Sequence, residues 1–279
     1  MNNIPPKKIL YVCLTHIELF FNYPEFVKTI YMGKSQYSGR LNLEQLSPEW
    51  AKHHPVLGGT AGSFALKELI INSNDVYSHV GICQYRKFLT REKIGLQASN
   101  YKVMDIVNAE KLDVNRIGGI MTPVKSDFLV SKPGLFSLNE KNYGYLYQYK
   151  DVHFIEDFLR FVAIAVEEGA LNRGEICDFF DEKIFFPGGI ELGVMPIKFW
   201  IKHITLLESV VRRCIEEHPY KREGFQSRIW AFCCERLGSY FLLKEFRSRQ
   251  SDEFDWMDSN TGYLNLLVKN DEKNYIPGV

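Results

Sequence analysis

An apolar run, His79-Val80-Gly81-Ile82-Cys83, passes directly into Gln84-Tyr85-Arg86-Lys87. An amide, a phenol and two adjacent cations at the end of a strand-like segment make a donor-rich set. A guanidinium presents planar N–H donors matched to phosphate oxygens, and an ammonium adds a compact, mobile charge. Charge-assisted hydrogen bonds contribute about 1.5–3 kcal/mol each, so two or three suffice to hold a diphosphate. The competing reading is a solvated turn, the usual setting of a short cationic run.

A second set lies in FQSRIWAFCCERLGSYF (225–241), where Arg228, Glu235 and Arg236 interrupt an otherwise apolar pattern. Charges in such a helix must reach a partner, a ligand or solvent. Arg228 and Glu235 are about two helical turns apart and so share a face; an internal salt bridge is the structural alternative. Glu191, between Ile190 and Leu192 and just after Gly188-Gly189, is a carboxylate able to deprotonate an acceptor hydroxyl, or an exposed strand residue. His16 closes the first strand-like segment, where an imidazole can touch a nucleotide or brace a loop. Asp178 and Asp181 read as a carboxylate pair at a helix end rather than as metal ligands. The phosphate-loop, dinucleotide, zinc-protease and serine-hydrolase signatures are all absent.

The elements that must position these groups follow from periodicity. KILYVCLTH (8–16) predicts a buried first strand after Pro5-Pro6, and 22–55 reads as irregular with at most a short helix. Helices are expected at 58–73, 197–218 and 226–246, and also at 151–169, capped by Asp151 and stopped by Gly169. In the last of these Phe154, Phe158, Phe161, Val162 and Ala165 supply the apolar face. Strands are expected at 78–83, 116–123 and 188–196, which together with the helices gives an α/β fold. The chain reads as one domain over 1–247. A polar tail, 248–279, follows, expected either to pack on the body through its apolar cluster, Tyr263 to Val268, or to be partly flexible.

Composition sets the outer limits. Lysine plus arginine equals aspartate plus glutamate at 34 each, so no global charge invites nucleic acid and any anion site must be local. No apolar run approaches the roughly 20 residues of a membrane span. MNNIPPKK has neither the apolar core nor the cleavage site of a signal peptide. Six cysteines without a C-x-x-C pair fit reduced, mostly buried thiols in a cytosol.

HVGICQYRKFL (79–89) resembles the G-L-C-H-Y-R-R-Y-F type motif of a bacterial family found in capsule and O-antigen polysaccharide gene clusters. ILYVCLTH (9–16), RIGGIMTPVK (116–125), YQYKDVHFIEDF (147–158), LGVMPIKFW (192–200) and FQSRIWAFCCERL (225–237) resemble further landmarks in the same order. The family's histidine is Gln84 here, its second arginine is Lys87, and GTAGSFALKEL replaces a tryptophan-rich helix.

The resemblance implies a GT-A-like mixed sheet flanked by helices, with a helical C-terminal part. It also implies a glycosyltransferase taking a nucleotide-sugar donor and a glycan or lipid-linked glycan acceptor. His16, Gln84, Tyr85, Arg86, Lys87, Arg228 and Arg236 would bind substrate; Glu235 and Glu191 would be catalytic. No cofactor is expected, because cations stand where many such enzymes carry an acidic pair for manganese or magnesium; a divalent metal is the alternative. Nucleic acid is not an expected partner, and the expected location is cytoplasmic, with peripheral contact at the inner face of the membrane for a lipid-linked acceptor. The rival readings are a non-catalytic nucleotide- or glycan-binding module and a scaffold of a polysaccharide-synthesis complex.

Overall fold

The computed structural model describes residues 7–33, 39–138, 141–250, 256–269 and 274. Among these, nine strands form one mixed sheet: β1 (Ile9–Thr15), β2 (Val27–Tyr31), β3 (His79–Gln84), β4 (Lys87–Thr90), β5 (Leu96–Gln97), β6 (Met104–Asn108), β7 (Val130–Ser131), β8 (Gly193–Pro196) and β9 (Thr261–Val268). The main order is β2-β1-β3-β4-β9-β6-β5, with β8 antiparallel to β3 and β7 parallel to β9.

β1 is parallel to both β2 and β3, so Thr15, Tyr31 and Gln84 end at one edge. Parallel neighbours need a long crossover. Here α1 (Leu43–Leu46), α2 (Pro48–Leu57) and α3 (Gly59–Ile71) carry the chain from β2 on one side of β1 to β3 on the other. The chain then reverses through Tyr85-Arg86, pairing Gln84 with Lys87.

Side chains of β1 alternate between two cores. Leu10, Val12 and Leu14 pack with the helices, including α6 (Ile155–Glu167), α8 (Ile197–Glu217) and α9 (Ile229–Arg249). Tyr11 and Cys13 face the other side, with Cys83, Phe88 and Ile117. Gly81 stands opposite Tyr11, and a Cβ there would lie 2.4 Å from the Tyr11 ring. The missing side chain lets that ring lie across β3.

Four expectations need correction. Residues 22–55 hold β2, α1 and α2; β2 is an edge strand burying only Ile30 and Tyr31, which weakens its alternation. The 116–123 run is not a strand but α4 (Val114–Ile120), opened by Asp113, whose side chain accepts the Asn115 N–H at 2.9 Å. The 151–169 helix is two: Asp151 lies inside α5 (Tyr145–Val152), and α6 starts after Phe154, which is 43% exposed rather than in the apolar face. The cluster at 263–268 does not merely pack on the body, because β9 is inserted between β4 and β6. The Pro5-Pro6 boundary and most of the polar tail lie outside the described residues. The 188–196 segment divides into a 3-10 turn, Gly189–Glu191, and β8. None of the described helices is long and apolar enough to cross a membrane.

Candidate functional site

The hairpin after β3 is held by its backbone. The Tyr85 N–H donates to Leu14 O at 3.1 Å, and the Leu267 N–H donates to Arg86 O at 2.7 Å. Tyr23 Oη–H donates to Gln84 O at 2.8 Å. These bonds fix the turn while leaving the side chains of Gln84, Tyr85 and Arg86 at the sheet edge. The His16 ring meets Tyr85 edge-on at 4.9 Å, and the Arg86 guanidinium lies 5.5 Å from the Tyr85 ring centre.

α3 begins at this same edge. A Cβ on Gly59 would stand 3.4 Å from Gln84 Nε2, and one on Gly58 would stand 3.5 Å from Arg228 Cδ. No side chain caps the start of α3. Its first-turn amides and positive dipole end therefore lie between Gln84 and Arg228, an arrangement suited to an anion.

Arg228 packs its guanidinium 5.1 Å from the Phe225 ring centre and 5.5 Å from that of Phe232. Neither Arg86 nor Arg228 has a carboxylate partner among the described residues, whereas Arg40, Arg212, Arg213 and Arg222 all do. The Arg228–Glu235 salt bridge that the spacing allowed is not formed. Burial, then the charges of Arg228 and Arg86, hold the His16 pKa below its usual value. Burial and His16 do the same to His54 in α2. The region is thus cationic even where its histidines are neutral.

Beside it sits a pair of carboxyl groups. Gly188 (φ 85°) and Gly189 (φ 49°) occupy the left-handed region. A Cβ on Gly189 would fall 2.8 Å from Glu235 O and 2.9 Å from Ser239 N, so this turn rests directly on the α9 backbone. The Gly188 N–H donates to Glu235 Oε1 at 2.9 Å, and Trp200 Nε1–H donates to Ile190 O at 2.9 Å. Glu191 then meets the buried Thr60, whose hydroxyl reaches Oε1 at 3.1 Å and Oε2 at 2.9 Å. Burial pushes the Glu191 pKa up to about 8; Thr60 opposes the shift and the Glu235 charge adds to it. A carboxyl poised there switches between proton donor and acceptor near neutral pH.

The fold therefore gathers His16, Gln84, Tyr85, Arg86, Arg228, Glu191 and Glu235 at one end of the parallel strands. Lys87 enters β4 and is set in register with Gln84 and Leu266. Arg236 departs from the expectation of a substrate ligand. It is 3% exposed, donates to Gln148 Oε1 at 3.1 Å and to Phe232 O at 2.7 Å, and lies 4.8 Å from the Tyr149 ring centre. One residue beyond Glu235 on α9, it points about 100° away and into the core. Thr60, Gly58, Gly59 and His54 were missed; a glycine pair opening a helix was the available signal. Among the described residues no group of three or more His, Cys, Asp and Glu is placed to hold a metal ion, and Asp178 and Asp181 lie in a short helix, α7 (Ile176–Asp181).

No family model matches the chain, and no curated protein does. Among solved structures, the fold is similar to that of the WbbM bifunctional glycosyltransferase in its apo form, with a TM-score of 0.70 and 12% sequence identity. The likeness covers 97% of this chain and 47% of that one, so the chain spans about half the length of its structural neighbour. The mixed α/β architecture is thus one that a glycosyltransferase uses.

Proposed function

We propose that the protein is a glycosyltransferase that moves a sugar from a nucleotide-sugar donor to a glycan acceptor of the capsule or O-antigen kind. One observation carries the reading: two arginines without carboxylate partners among the described residues and an uncapped helix start converge beside a half-buried carboxyl pair, at the carboxyl ends of parallel strands. Open α/β sheets bind nucleotides at such edges. The fold likeness to a glycosyltransferase supports the same class.

In this reading the diphosphate lies between Arg86, Arg228 and the first turn of α3. The bond between the anomeric carbon and the diphosphate oxygen breaks, and its electron pair leaves on the diphosphate. Fixed cations stabilise that developing charge without reorganising. The acceptor oxygen forms the new bond, and its proton passes to Glu191. Glu235 positions the Gly188-Gly189 turn, and its charge makes Glu191 the better base.

A divalent metal would need carboxylate ligands at the diphosphate. The turn from β3 to β4, Gln84-Tyr85-Arg86-Lys87, carries no carboxylate, and Glu191 and Glu235 belong to no group of three or more metal-ligating side chains among the described residues. The residues present do not fit such an ion. In this reading Arg86 and Arg228 take up the diphosphate charge in place of an ion.

The test is release of free sugar and nucleoside diphosphate from a panel of nucleotide sugars without acceptor, in EDTA and again with manganese. Slow turnover that persists in EDTA is expected. Turnover abolished by EDTA and restored only by manganese contradicts the metal-free reading. Saturable nucleotide binding without turnover turns the assignment to a binding module.

A further inference from the structure

Five rings form a column from the core to the surface. Phe158 stacks on Tyr149 with centroids 4.6 Å apart, and Tyr149 meets His153 at 4.7 Å. His153 stacks on Phe232 at 4.1 Å, and Phe232 meets Phe225 at 4.8 Å. Phe158 and Tyr149 are fully buried, whereas Phe225 is 46% exposed. Lone exposed hydrophobics are common on protein surfaces and need no explanation. Three features set this one apart.

The ring is fixed before any ligand arrives. Gln226 Nε2–H donates to Val152 O at 2.8 Å, and Gln226 Oε1 lies 2.9 Å from His153 Nδ1, which pins the loop that carries Phe225. Burial, with the Arg236 charge, pulls the His153 pKa down to about 4, so at neutral pH it stacks as an uncharged ring. Second, the exposed ring borders Arg228, whose N–H donors have no carboxylate partner among the described residues. Third, Phe232 lies one helical turn before Glu235 on α9, so the column stands on the carboxylate side of the site.

We propose that the exposed face of Phe225 is the acceptor subsite, where a pyranose ring of the glycan packs its C–H face and presents a hydroxyl toward the carboxyl pair, with Arg228 bonding neighbouring oxygens. This rests on the function proposed above. On the strand side, next to Arg86, His16 and Tyr85 meet edge-on, and in the same reading the nucleotide base goes to them. That leaves the α9 side for the second substrate. A ring held rigidly by its neighbours binds a flat apolar face with little ordering cost.

Saturation-transfer NMR with the methyl pyranosides of glucose, galactose, mannose, N-acetylglucosamine and rhamnose tests this on the wild type, Phe225→Ala and Phe225→Trp. UDP, GDP, CMP and dTDP are titrated alongside. The wild type is expected to transfer saturation to the ring C–H protons of at least one pyranoside. Phe225→Ala is expected to weaken that binding by about fivefold and Phe225→Trp to keep it. Nucleotide affinity is expected to change far less than pyranoside affinity in both variants, because Phe232 still carries the Arg228 guanidinium. No transfer from the wild type, or transfer unchanged in Phe225→Ala, overturns the subsite. A loss of nucleotide affinity in Phe225→Ala as large as the loss of pyranoside affinity overturns it in favour of a base-stacking role. Nucleotide silence in the wild type fails the underlying functional reading instead, and the acceptor assignment falls with it.

Discussion

Replacing Arg86 or Arg228 by alanine is expected to weaken nucleoside diphosphate binding by roughly ten- to a hundredfold, the equivalent of one lost charge-assisted bond. Calorimetric titration of each variant measures it. Neither side chain has a carboxylate partner among the described residues, so removal breaks no ion pair, and the unfolding free energy should stay within about 0.5 kcal/mol. A structural arginine behaves in the opposite way. Lysine at either place keeps the charge but loses the planar donor fork, so an intermediate affinity is expected. Arg116, an exposed cation on α4, provides the control, and Arg116→Ala should bind as the wild type does. Affinity unchanged in both Arg86→Ala and Arg228→Ala would remove the diphosphate from this edge of the sheet.

Glu191→Gln is expected to lower turnover by about a hundred- to ten-thousandfold while leaving nucleotide affinity intact, the range for a lost general base. The sign of the pH dependence follows from the raised pKa. Below about 8 the Glu191 carboxyl holds its proton and cannot take another, so wild-type activity should climb as pH passes through that value. The glutamine variant loses this limb. Thr60→Val removes the hydroxyl that favours the ionised form, so the limb should move to higher pH.

Stability carries the same signature. An unfolded glutamate titrates near 4.5, whereas the folded one titrates near 8. The contribution of this group to stability is therefore fully present below 4.5 and is lost as pH rises through 8. Glu191→Gln should flatten that fall in a series of melting temperatures against pH. A glutamine variant with wild-type turnover would assign the proton elsewhere.

The cationic turn was legible because an apolar strand that ends in Gln84-Tyr85-Arg86 is a local pattern, complete within a few residues. Arg228 and Glu235 stood out as charges in an apolar pattern, but Arg228 closes the 3-10 turn before α9 rather than lying on the helix, so their two-turn spacing did not give their relation. Arg236 was not legible: periodicity fixes its angle to Glu235 but does not say which side of α9 meets the core. Thr60 was invisible because its partner, Glu191, is 131 residues away in the chain. Only the seating of the Gly188-Gly189 turn on α9 brings the two together. β9 was misjudged since its neighbours β4 and β6 are distant in sequence and polar segments flank it. The α4 error has a local cause. Two glycines and β-branched residues look like a strand, and the Asp113 cap outweighed them.

The central claim is that a nucleoside diphosphate binds at the carboxyl edge of β1 and β3, between Arg86, Arg228 and the start of α3. The most direct measurement is the melting temperature of the wild type with UDP, GDP, CMP and dTDP, compared with Arg86→Ala and Arg228→Ala under the same conditions. A ligand at about a hundred times its dissociation constant stabilises by roughly 2.7 kcal/mol, which raises the melting temperature of a chain this size by several degrees. The account predicts such a shift with one nucleotide class in the wild type, retained in EDTA and much reduced in both variants. No shift with any of the four, or an equal shift in wild type and variants, would contradict it.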